Sequence, residues 1–378
     1  MVDLTSVPSP CFLLEEKLLR NNLELLHYVQ KEAGVKIILA LKGFAMYHTF
    51  DLVRQYLPGT TASSLNEARL GFEEFGGEVH AYSPAYLERE FDELMTYCGH
   101  ITFNSINQYF HFKPRIEAFS KKISCGLRIN PEYSPVKTDL YNPCVKGSRL
   151  GVTSKQLSDR LPEGIEGLHS HNLCESSAEA LEETLQNIRV KFGKFLSQIQ
   201  WLNLGGGHAI TRKGYNIDLL IKTLKNFKNE YSHLEIILEP GSAVAWETGY
   251  LVATVLDIVE NDGVLSAMLD VSFTCHMPDT LEMPYKPRIH GAFEPIEGLP
   301  TYKMGGLSCL AGDVMGDYSF PKPLQIGDKL IFDDMIHYTM VKTTNFNGVP
   351  LPYFAIRKES GELQIVREPR YEHFKDRL

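Results

Sequence analysis

Residues 36–42 have the sequence KIILALK, a short apolar run that ends in a lysine. It is the first of eight such runs, and amphipathic stretches with the period of a helix separate them. Strands that alternate with helices pair in parallel, and eight such units close into a (β/α)8 barrel, the TIM-barrel architecture. The predicted strands are KIILALK (36–42), TTASS (60–64), EVHAYS (78–83), HITFNS (100–105), SCGLRIN (124–130), IEGLHSH (165–171), IQWLNL (199–204) and EIILEP (235–240).

The pattern changes after Gly241, where turns join short strands and no long helical repeat occurs. We therefore predict three segments: an N-terminal strand at 1–14 that joins a β-rich domain, the barrel at 15–244, and the β-rich domain itself, a β-barrel or sandwich, at 245–378. The long connection 131–164 is expected to form a loop over the barrel mouth. The predicted strands of the β-rich domain lie in GYLVATVLDIVEN (249–261), GVLSAMLDVSFT (263–274), LSCLAGDVMG (307–316), GDKLIFDDM (327–335) and YFAIRKESGELQIV (353–366).

Composition excludes several classes of protein. The chain of 378 residues is 43% hydrophobic and 22% charged, with a net charge of −9 that argues against nucleic acid as a partner. Its seven cysteines are scattered and form no C-x-x-C pair, so we expect reduced thiols, no structural metal site and a cytoplasmic location. No apolar run is long enough to span a bilayer, and the N-terminus does not resemble a secretory signal, so no membrane partner is expected.

A polar or reactive side chain stands at the end of each predicted strand, where barrel enzymes place their active sites. Lys42 ends an apolar strand, and its desolvated amine is suited to forming an imine; the alternative is a lysine that extends into solvent. Gly205, Gly206 and Gly207 follow strand seven, where backbone amides of barrels often bind phosphate; the alternative is a flexible turn.

Three further strand-end residues admit two interpretations each. Glu239 could stabilise a protonated pyridine nitrogen, or form an ion pair with a barrel arginine. His171 could lie flat against a cofactor ring, or be a structural histidine. Arg128 could hydrogen-bond a ring oxygen or steady a neighbouring acid. Together with Lys42 and the glycines, these groups match the needs of pyridoxal 5'-phosphate.

The motifs ALKGF, GLHSHNLCE, LNLGGGH, LEPG and GLSCLAGDVMGD resemble those of the fold-type III pyridoxal-phosphate decarboxylases, which share the alanine racemase fold. The resemblance covers nearly the whole chain and is greatest to the subgroup that acts on carboxynorspermidine and carboxyspermidine. It implies decarboxylation in the biosynthesis of spermidine and related polyamines. It also implies a homodimer in which the β-rich domain completes the active site of the partner.

The resemblance implies roles for individual residues. Lys42 resembles the Schiff-base lysine, His171 the stacked histidine and Glu239 the pyridinium partner. The glycines resemble the phosphate loop, and Tyr338 a tyrosine that contacts the phosphate. In SCLAGD, Cys309 is similar to the cysteine that protonates the product, and Asp313 to the acid that meets the distal amine.

Two departures set this chain apart from ornithine-type enzymes. Ser242 stands where ornithine and diaminopimelate decarboxylases usually have arginine, and Leu310 stands where the ornithine type has an acid. The stretch 269–288 also resembles the carboxynorspermidine subgroup. An acid among its polar residues His276, Asp279 and Glu282 could bind a substrate ammonium group, or the stretch could be an ordinary connection with exposed charges.

Other activities remain possible from the sequence. A decarboxylase for diaminopimelate or ornithine is the nearest alternative, followed by a racemase on the same fold. A non-catalytic relative, either a cofactor carrier or a regulatory homologue, would be expected to lack the β-rich half, or Lys42 or Cys309, and this chain has all three.

Overall fold

The computed structural model of the chain describes residue 4 and residues 6–378, and it contains two compact units. One unit comprises the described residues up to Asn21 together with Ala245–Leu378, and the other is Asn22–Val244. Residues 1–3 and 5 of the predicted segment 1–14 lie outside the described residues. The first unit extends to Asn21 and so includes residues that we assigned to the barrel; the functional division at 14 and 244 stays a prediction.

The first elements of the chain are strand β1 (Cys11–Glu15) and helix α1 (Glu16–Ala33). The helix has an acid in its first turn and Lys31 in its last, which is the favourable orientation of charge for the helix dipole. Leu19, Leu23 and Leu26 recur at helical spacing and are fully buried, so one face of α1 packs into the protein.

The second unit is the predicted barrel. Its strands are all parallel and pair in the order β2-β10-β9-β8-β7-β6-β5-β4-β3. Strands β2 and β3 are two parts of one run interrupted at Ile38; β2 pairs with β10 and β3 with β4, so the sheet closes on itself. This confirms the (β/α)8 class. The strands are β2 (Lys36–Ile37), β3 (Leu39–Ala40), β4 (Gly59–Ala62), β5 (Glu78–Tyr82), β6 (His100–Phe103), β7 (Ser124–Arg128), β8 (Ile165–His169), β9 (Trp201–Asn203) and β10 (Glu235–Leu238).

A single indole packs in the barrel interior near the amino ends of the strands. Trp201 packs with Ile38 and Ile237, and its ring lies where side chains at Gly126 and Gly167 would be. Larger residues at these two positions would therefore displace the indole. The helices of this unit are α2 (Phe50–Val53), α3 (Leu65–Leu70), α4 (Phe91–Tyr97), α5 (Ile106–Ala118), α6 (Ala178–Leu196) and α7 (Ile217–Glu230), and a π-helical turn, Gly71–Phe75, continues α3.

The connection 131–164 contains only two short 3-10 turns, Asp139–Tyr141 and Ser154–Gln156. Asn104, just after β6, attaches it to the barrel: its Nδ2 donates to the carbonyl of Arg149 and its Oδ1 accepts from the amide of Gly151, both at 2.8 Å. This loop therefore lies against the carboxyl ends of the strands.

The other unit is a mixed sheet in which β11 is the central strand. The first half of β11 pairs with β1 and β15 and its second half with β12. The order is β14-β13-β12-β11-β1-β16-β17, with β15 beside β11. After α8 (Ser242–Ala245), the strands are β11 (Gly249–Asn261), β12 (Val264–Leu269), β13 (Thr301–Gly305), β14 (Val314–Ser319), β15 (Lys329–Asp333), β16 (Tyr353–Arg357) and β17 (Leu363–Arg367).

Two predictions for this unit were wrong in detail. SCLAGD is not a strand but a turn before β14, and β13 was not predicted. The end of the predicted strand at 263–274 is helical instead. The helices are α9 (Phe273–His276), α10 (Pro278–Glu282), α11 (Tyr338–Val341) and α12 (Tyr371–Lys375), and Phe346–Gly348 forms a 3-10 turn. Across residue 4 and residues 6–378, no helix combines the length and apolarity that crossing a membrane requires.

Candidate active site

Lys42 and His171 meet at the carboxyl ends of β3 and β8. Nζ of Lys42 lies 3.2 Å from Nε2 of His171. Lys42 is an exposed residue, yet desolvation by the surrounding protein and the charge of the nearby Arg128 lower the pKa of its amine. Desolvation, assisted by the charges of Lys42 and Arg128, also brings the pKa of His171 well below its ordinary value. Both groups are therefore held toward their neutral forms.

Glu239 is a buried carboxylate one residue beyond β10, only 8% exposed. Its Oε1 accepts a hydrogen bond of 2.6 Å from Nδ2 of Asn203, and its Oε2 lies 3.4 Å from Nε2 of His169. Burial alone would raise the pKa of this carboxyl, but contact with His169 and Asn203 reverses the effect and lowers it to about 2. Glu239 is thus an anion at neutral pH.

The glycine loop after β9 packs directly on neighbouring backbone. Side chains at Gly206 and Gly207 would overlap the carbonyl oxygens of Glu239 and Leu173, and Gly207 has φ +84°, so glycine is needed there for two reasons. The amide of Gly205 donates to Oδ1 of Asn203 at 2.8 Å and that of Gly206 to Nδ1 of His171 at 3.0 Å. Two of the three amides thus orient side chains, while that of Gly207 finds no acceptor among the described residues.

Arg128, at the end of β7, is buried between backbone and an aromatic ring. Its Nη2 donates to the carbonyl of His171 at 2.9 Å, and its guanidinium lies 4.7 Å from the ring centroid of Tyr82. The hydroxyl of Tyr82 donates to Asn104. Arg128 therefore supports the histidine strand and contributes a positive charge to the site.

Other strand-end polar residues close turns instead of joining this cluster. Ser64 caps α3, since its hydroxyl accepts from the amide of Glu67. The hydroxyl of Ser83 donates to the carbonyl of Ala85, and Oδ1 of Asn130 accepts from the amide of Glu132. The local chemistry of turns accounts for these side chains.

In the sheet unit, Asp313 organises the turn that carries Cys309. The carboxylate is 2% exposed and accepts from the amide and hydroxyl of Ser308, at 3.0 and 2.6 Å, and from the amide of Thr274 at 3.1 Å. Cys309 is exposed, and its amide donates to Oδ1 of Asn347. The acid thus fixes the turn while leaving the thiol accessible.

The other predicted residues of this unit lie in different environments. His276 is fully buried and accepts from the amide of Ser272 through Nδ1. Oδ2 of Asp279 accepts from the hydroxyls of Tyr285 and Thr339, both at 2.9 Å, and its Oδ1 is buried without a partner among the described residues. Glu282 forms an ion pair with Lys342 near the surface, and Tyr338 begins α11.

Comparison with known proteins identifies the family. The model of the family described as pyridoxal-dependent decarboxylase, C-terminal sheet domain, matches residues 27–336. The chain belongs to this family. It is therefore a pyridoxal-phosphate-dependent decarboxylase, as the motifs predicted.

Relatives and solved structures match almost the full length. The chain is 53% identical to a carboxyaminopropylagmatine decarboxylase of Synechocystis sp., over 99% of this chain and 96% of the relative. It is 45% identical to a carboxynorspermidine/carboxyspermidine decarboxylase of Campylobacter jejuni, over 97% of this chain and 98% of the relative. The crystal structure of carboxynorspermidine decarboxylase complexed with norspermidine from Campylobacter jejuni superposes with a TM-score of 0.90. The two sequences are 44% identical, and the match covers 98% of this chain and 100% of the chain in that structure. A diaminopimelate decarboxylase of Helicobacter pylori shares the fold, with a TM-score of 0.82 at 16% identity over 98% of each chain.

The barrel cluster fits the cofactor of the pyridoxal-dependent decarboxylases. It offers an amine with a lowered pKa at Lys42, an anionic carboxylate at Glu239 and an imidazole at His171. The amide of Gly207 is available to a phosphate oxygen. A carboxylate has about four lone-pair sites, so Glu239 can accept a further hydrogen bond beyond the one from Asn203.

Sequence reasoning missed two members of this decarboxylase site. His169 lies two residues before His171 and therefore on the same face of the strand, and Asn203 is the last residue of β9. In the HSH motif, the two-residue spacing between His169 and His171 indicated that both side chains lie on the same face of the strand. The role of Asn203 carried none, because only the fold brings Glu239 next to it.

Proposed function

We propose that this enzyme removes the α-carboxylate of carboxynorspermidine or carboxyspermidine and releases norspermidine or spermidine. The similarity that carries the proposal is the near-complete match, at 44% identity and a TM-score of 0.90, to a carboxynorspermidine decarboxylase complexed with norspermidine. The buried carboxyl group of Asp279, whose Oδ1 has no partner among the described residues, supports a cationic substrate. Ser242 and Leu310, in place of the arginine and acid typical of ornithine-type enzymes, are consistent with this choice.

The barrel residues would bind and activate pyridoxal phosphate. When bound, the cofactor supplies an electron sink for the negative charge that carbon dioxide leaves behind. Lys42 would hold the cofactor through its amine, Glu239 would keep the ring nitrogen protonated by accepting its hydrogen bond, and His171 would offer its ring face. The Gly207 amide, with Tyr338, would bind the phosphate, and Arg128 would hold the histidine strand in position.

Cys309 would complete the reaction by giving its thiol proton to the α-carbon, where hydrogen replaces the lost carboxylate. Asp313 would hold the turn that presents this thiol, because Ser308 and Thr274 donate to both of its oxygens. A contact between Asp313 and the distal amine stays a prediction. The thiol would serve the barrel of a partner subunit in a homodimer. The seven unpaired cysteines, all among the described residues, support a cytoplasmic location.

The polyamine tail would be recognised by acids of the segment 269–288. Asp279 is the strongest candidate, since Oδ1 can accept from an ammonium group while Oδ2 is held by Tyr285 and Thr339. Glu282 is neutralised by Lys342 and is a weaker candidate. His276 would contribute through packing, because it is fully buried.

A second candidate substrate is carboxyaminopropylagmatine, which the 53% identical relative is named for. Its agmatine end is a guanidinium, which is planar and binds carboxylates in a two-pronged geometry, whereas a terminal ammonium is a compact point charge. The two substrates thus differ at the end farthest from the reacting carbon.

Carbon dioxide release measured side by side tests the proposal. The substrates are carboxynorspermidine, carboxyspermidine, carboxyaminopropylagmatine, ornithine and diaminopimelate, compared by kcat/KM. The highest value for carboxynorspermidine or carboxyspermidine supports the proposal, and the highest value for the agmatine derivative supports the second candidate. Preference for ornithine or diaminopimelate would overturn both.

A further inference from the structure

The barrel buries a second histidine behind the stacked one. His169 is 3% exposed, and its ring lies parallel to that of His171, with 7° between the planes and 6.5 Å between the centroids. The ring of Tyr82 covers another side at 5.2 Å. A buried polar ring of this kind costs free energy unless its nitrogens find partners.

The carboxylate of Glu239 is the polar group that His169 contacts. Nε2 lies 3.4 Å from Oε2 and does not form a hydrogen bond with it in this structure, but such contacts often tighten when a ligand binds. Nδ1 likewise has no hydrogen-bond partner among the described residues, so hydrogen bonding within the folded protein does not account for an imidazole at this position. Asn203 donates to the other oxygen of Glu239, so the two carboxylate oxygens face two different side chains.

The charge state of His169 suits this contact. Burial lowers the pKa of its ring, although Glu239 opposes the shift. A neutral ring with its proton on Nε2 would donate to Oε2 without adding a positive charge. The carboxylate then stays anionic and keeps its negative charge available to a further donor.

We propose that His169 is a positioning residue that orients Glu239 and keeps it anionic, so that the carboxylate can hold the ring nitrogen of the cofactor in its protonated form. This inference rests on the role of Glu239 in the proposed function. His169 itself does not touch the cofactor; it acts through Glu239.

Two amide substitutions separate this role from a structural one. In His169→Gln the side-chain amide nitrogen can reach the place of Nε2, whereas in His169→Asn it reaches only the place of Nδ1. Both variants are polar and neutral, so their effects on folding are matched. His100→Asn is the control, because His100 also lies in a barrel strand but stacks on His80 at the amino ends of the strands.

The first measurement is the 15N chemical shift of the ring nitrogen in holoenzyme prepared with 15N-labelled pyridoxal phosphate. We expect His169→Asn to move the signal toward the unprotonated position and to lower kcat by about ten-fold, as loss of supporting residues commonly does. His169→Gln and His100→Asn should keep the wild-type signal. An unchanged signal in His169→Asn, or equal shifts in the Asn and Gln variants, would overturn the inference.

A cofactor analogue gives the second measurement. When carbon replaces the ring nitrogen, Glu239 has no N–H to stabilise, so His169→Asn should lower the residual rate no further. An equal loss with both cofactors would assign His169 a purely structural role. Glu239→Gln separates the two proposals. If the 15N signal of Glu239→Gln is unchanged, the proposed role of Glu239 is wrong. If the signal moves in Glu239→Gln but not in His169→Asn, only the inference about His169 fails.

Discussion

The imidazole of His171 lies between two nitrogen atoms, Nζ of Lys42 at 3.2 Å and the amide of Gly206 at 3.0 Å. Because a backbone amide can only donate, Nδ1 must be the acceptor and the proton of a neutral ring must be on Nε2. That proton points at Lys42, whose amine can accept it only through its lone pair, that is, as a neutral base. The glycine loop thus favours the neutral form of the Lys42 amine.

Replacement of Lys42 tests this assignment directly. Lys42→Ala should remove the visible absorbance of lysine-bound cofactor and lower kcat by roughly a thousand-fold or more, as expected for loss of a covalent catalyst. Absorption spectra and carbon dioxide release measure both effects. The matched control is Lys36→Ala at the other end of the same strand run, where the lysine pairs with Glu78 and Glu235 and should not affect turnover. Wild-type activity in Lys42→Ala would exclude the mechanism.

Two glycines with almost the same positive φ test the loop. Gly207 and Gly214 have φ of +84° and +83°, but a side chain at Gly207 would meet Leu173, whereas the space around Gly214 is open. Gly214→Ala should therefore cost about 1 kcal/mol from the left-handed conformation alone. Gly207→Ala should cost about 3 kcal/mol or more and weaken cofactor binding.

Urea unfolding and cofactor titration of the two alanine variants provide the comparison. Equal destabilisation of both would show that conformation, not the contact with Leu173, explains the glycine at 207. Unchanged cofactor affinity in Gly207→Ala would remove the loop from the proposed phosphate site.

The sequence predicted the barrel well, for a physical reason. Each barrel strand is a short apolar run bounded by turn residues, and convergence of the strand ends in any barrel brings Lys42 and His171 to one rim. The break at Ile38 in the first run and the positions of the helix ends could not be predicted from the sequence, because they depend on packing.

The strands of the sheet unit were harder to predict because their sequence patterns are short and do not alternate regularly between apolar and polar residues. Strand β13, TYKMG, contains a lysine and a glycine and follows a proline, so alternation is weak. SCLAGD precedes an apolar run and resembled part of a strand, yet Asp313 folds it into a turn through Ser308. The contact of His169 with Glu239 joins residues 70 positions apart and depends on side-chain orientation, which periodicity does not give.

Mixing two inactive variants tests the shared active site. Cys309→Ala should lower kcat by about a hundred-fold while leaving cofactor binding intact, since a general acid contributes on that scale. If the thiol serves a partner's barrel, subunits of Lys42→Ala and Cys309→Ala that exchange should form dimers with one intact site, restoring roughly a quarter of wild-type activity. The control is either variant mixed with itself. Failure to recover activity, with exchange shown by mass spectrometry, would place the thiol in its own subunit's site or outside the chemistry.

The carboxylate of Glu78 makes stability depend on pH at the amino ends of the barrel strands. His80 Nε2 lies 3.4 Å away and Lys36 donates at 2.8 and 2.9 Å, and these contacts lower the pKa of Glu78 to about 2 against burial, which would raise it. A lowered pKa stabilises the fold at pH above the ordinary value of 4.5, and this contribution is lost as the pH falls toward 2. Glu78→Gln should therefore cost about 1 kcal/mol at neutral pH, a modest value because 42% of the side chain is exposed. Urea unfolding of the cofactor-free protein measures the free energy of unfolding, and the difference between Glu78→Gln and wild type should shrink between neutral pH and pH of about 3. The control is Glu74→Gln, at an exposed acid of the nearby π-helical turn, which should not differ from wild type at either pH. If the cost of Glu78→Gln does not change with pH, the shape of the side chain matters at Glu78 and not its charge.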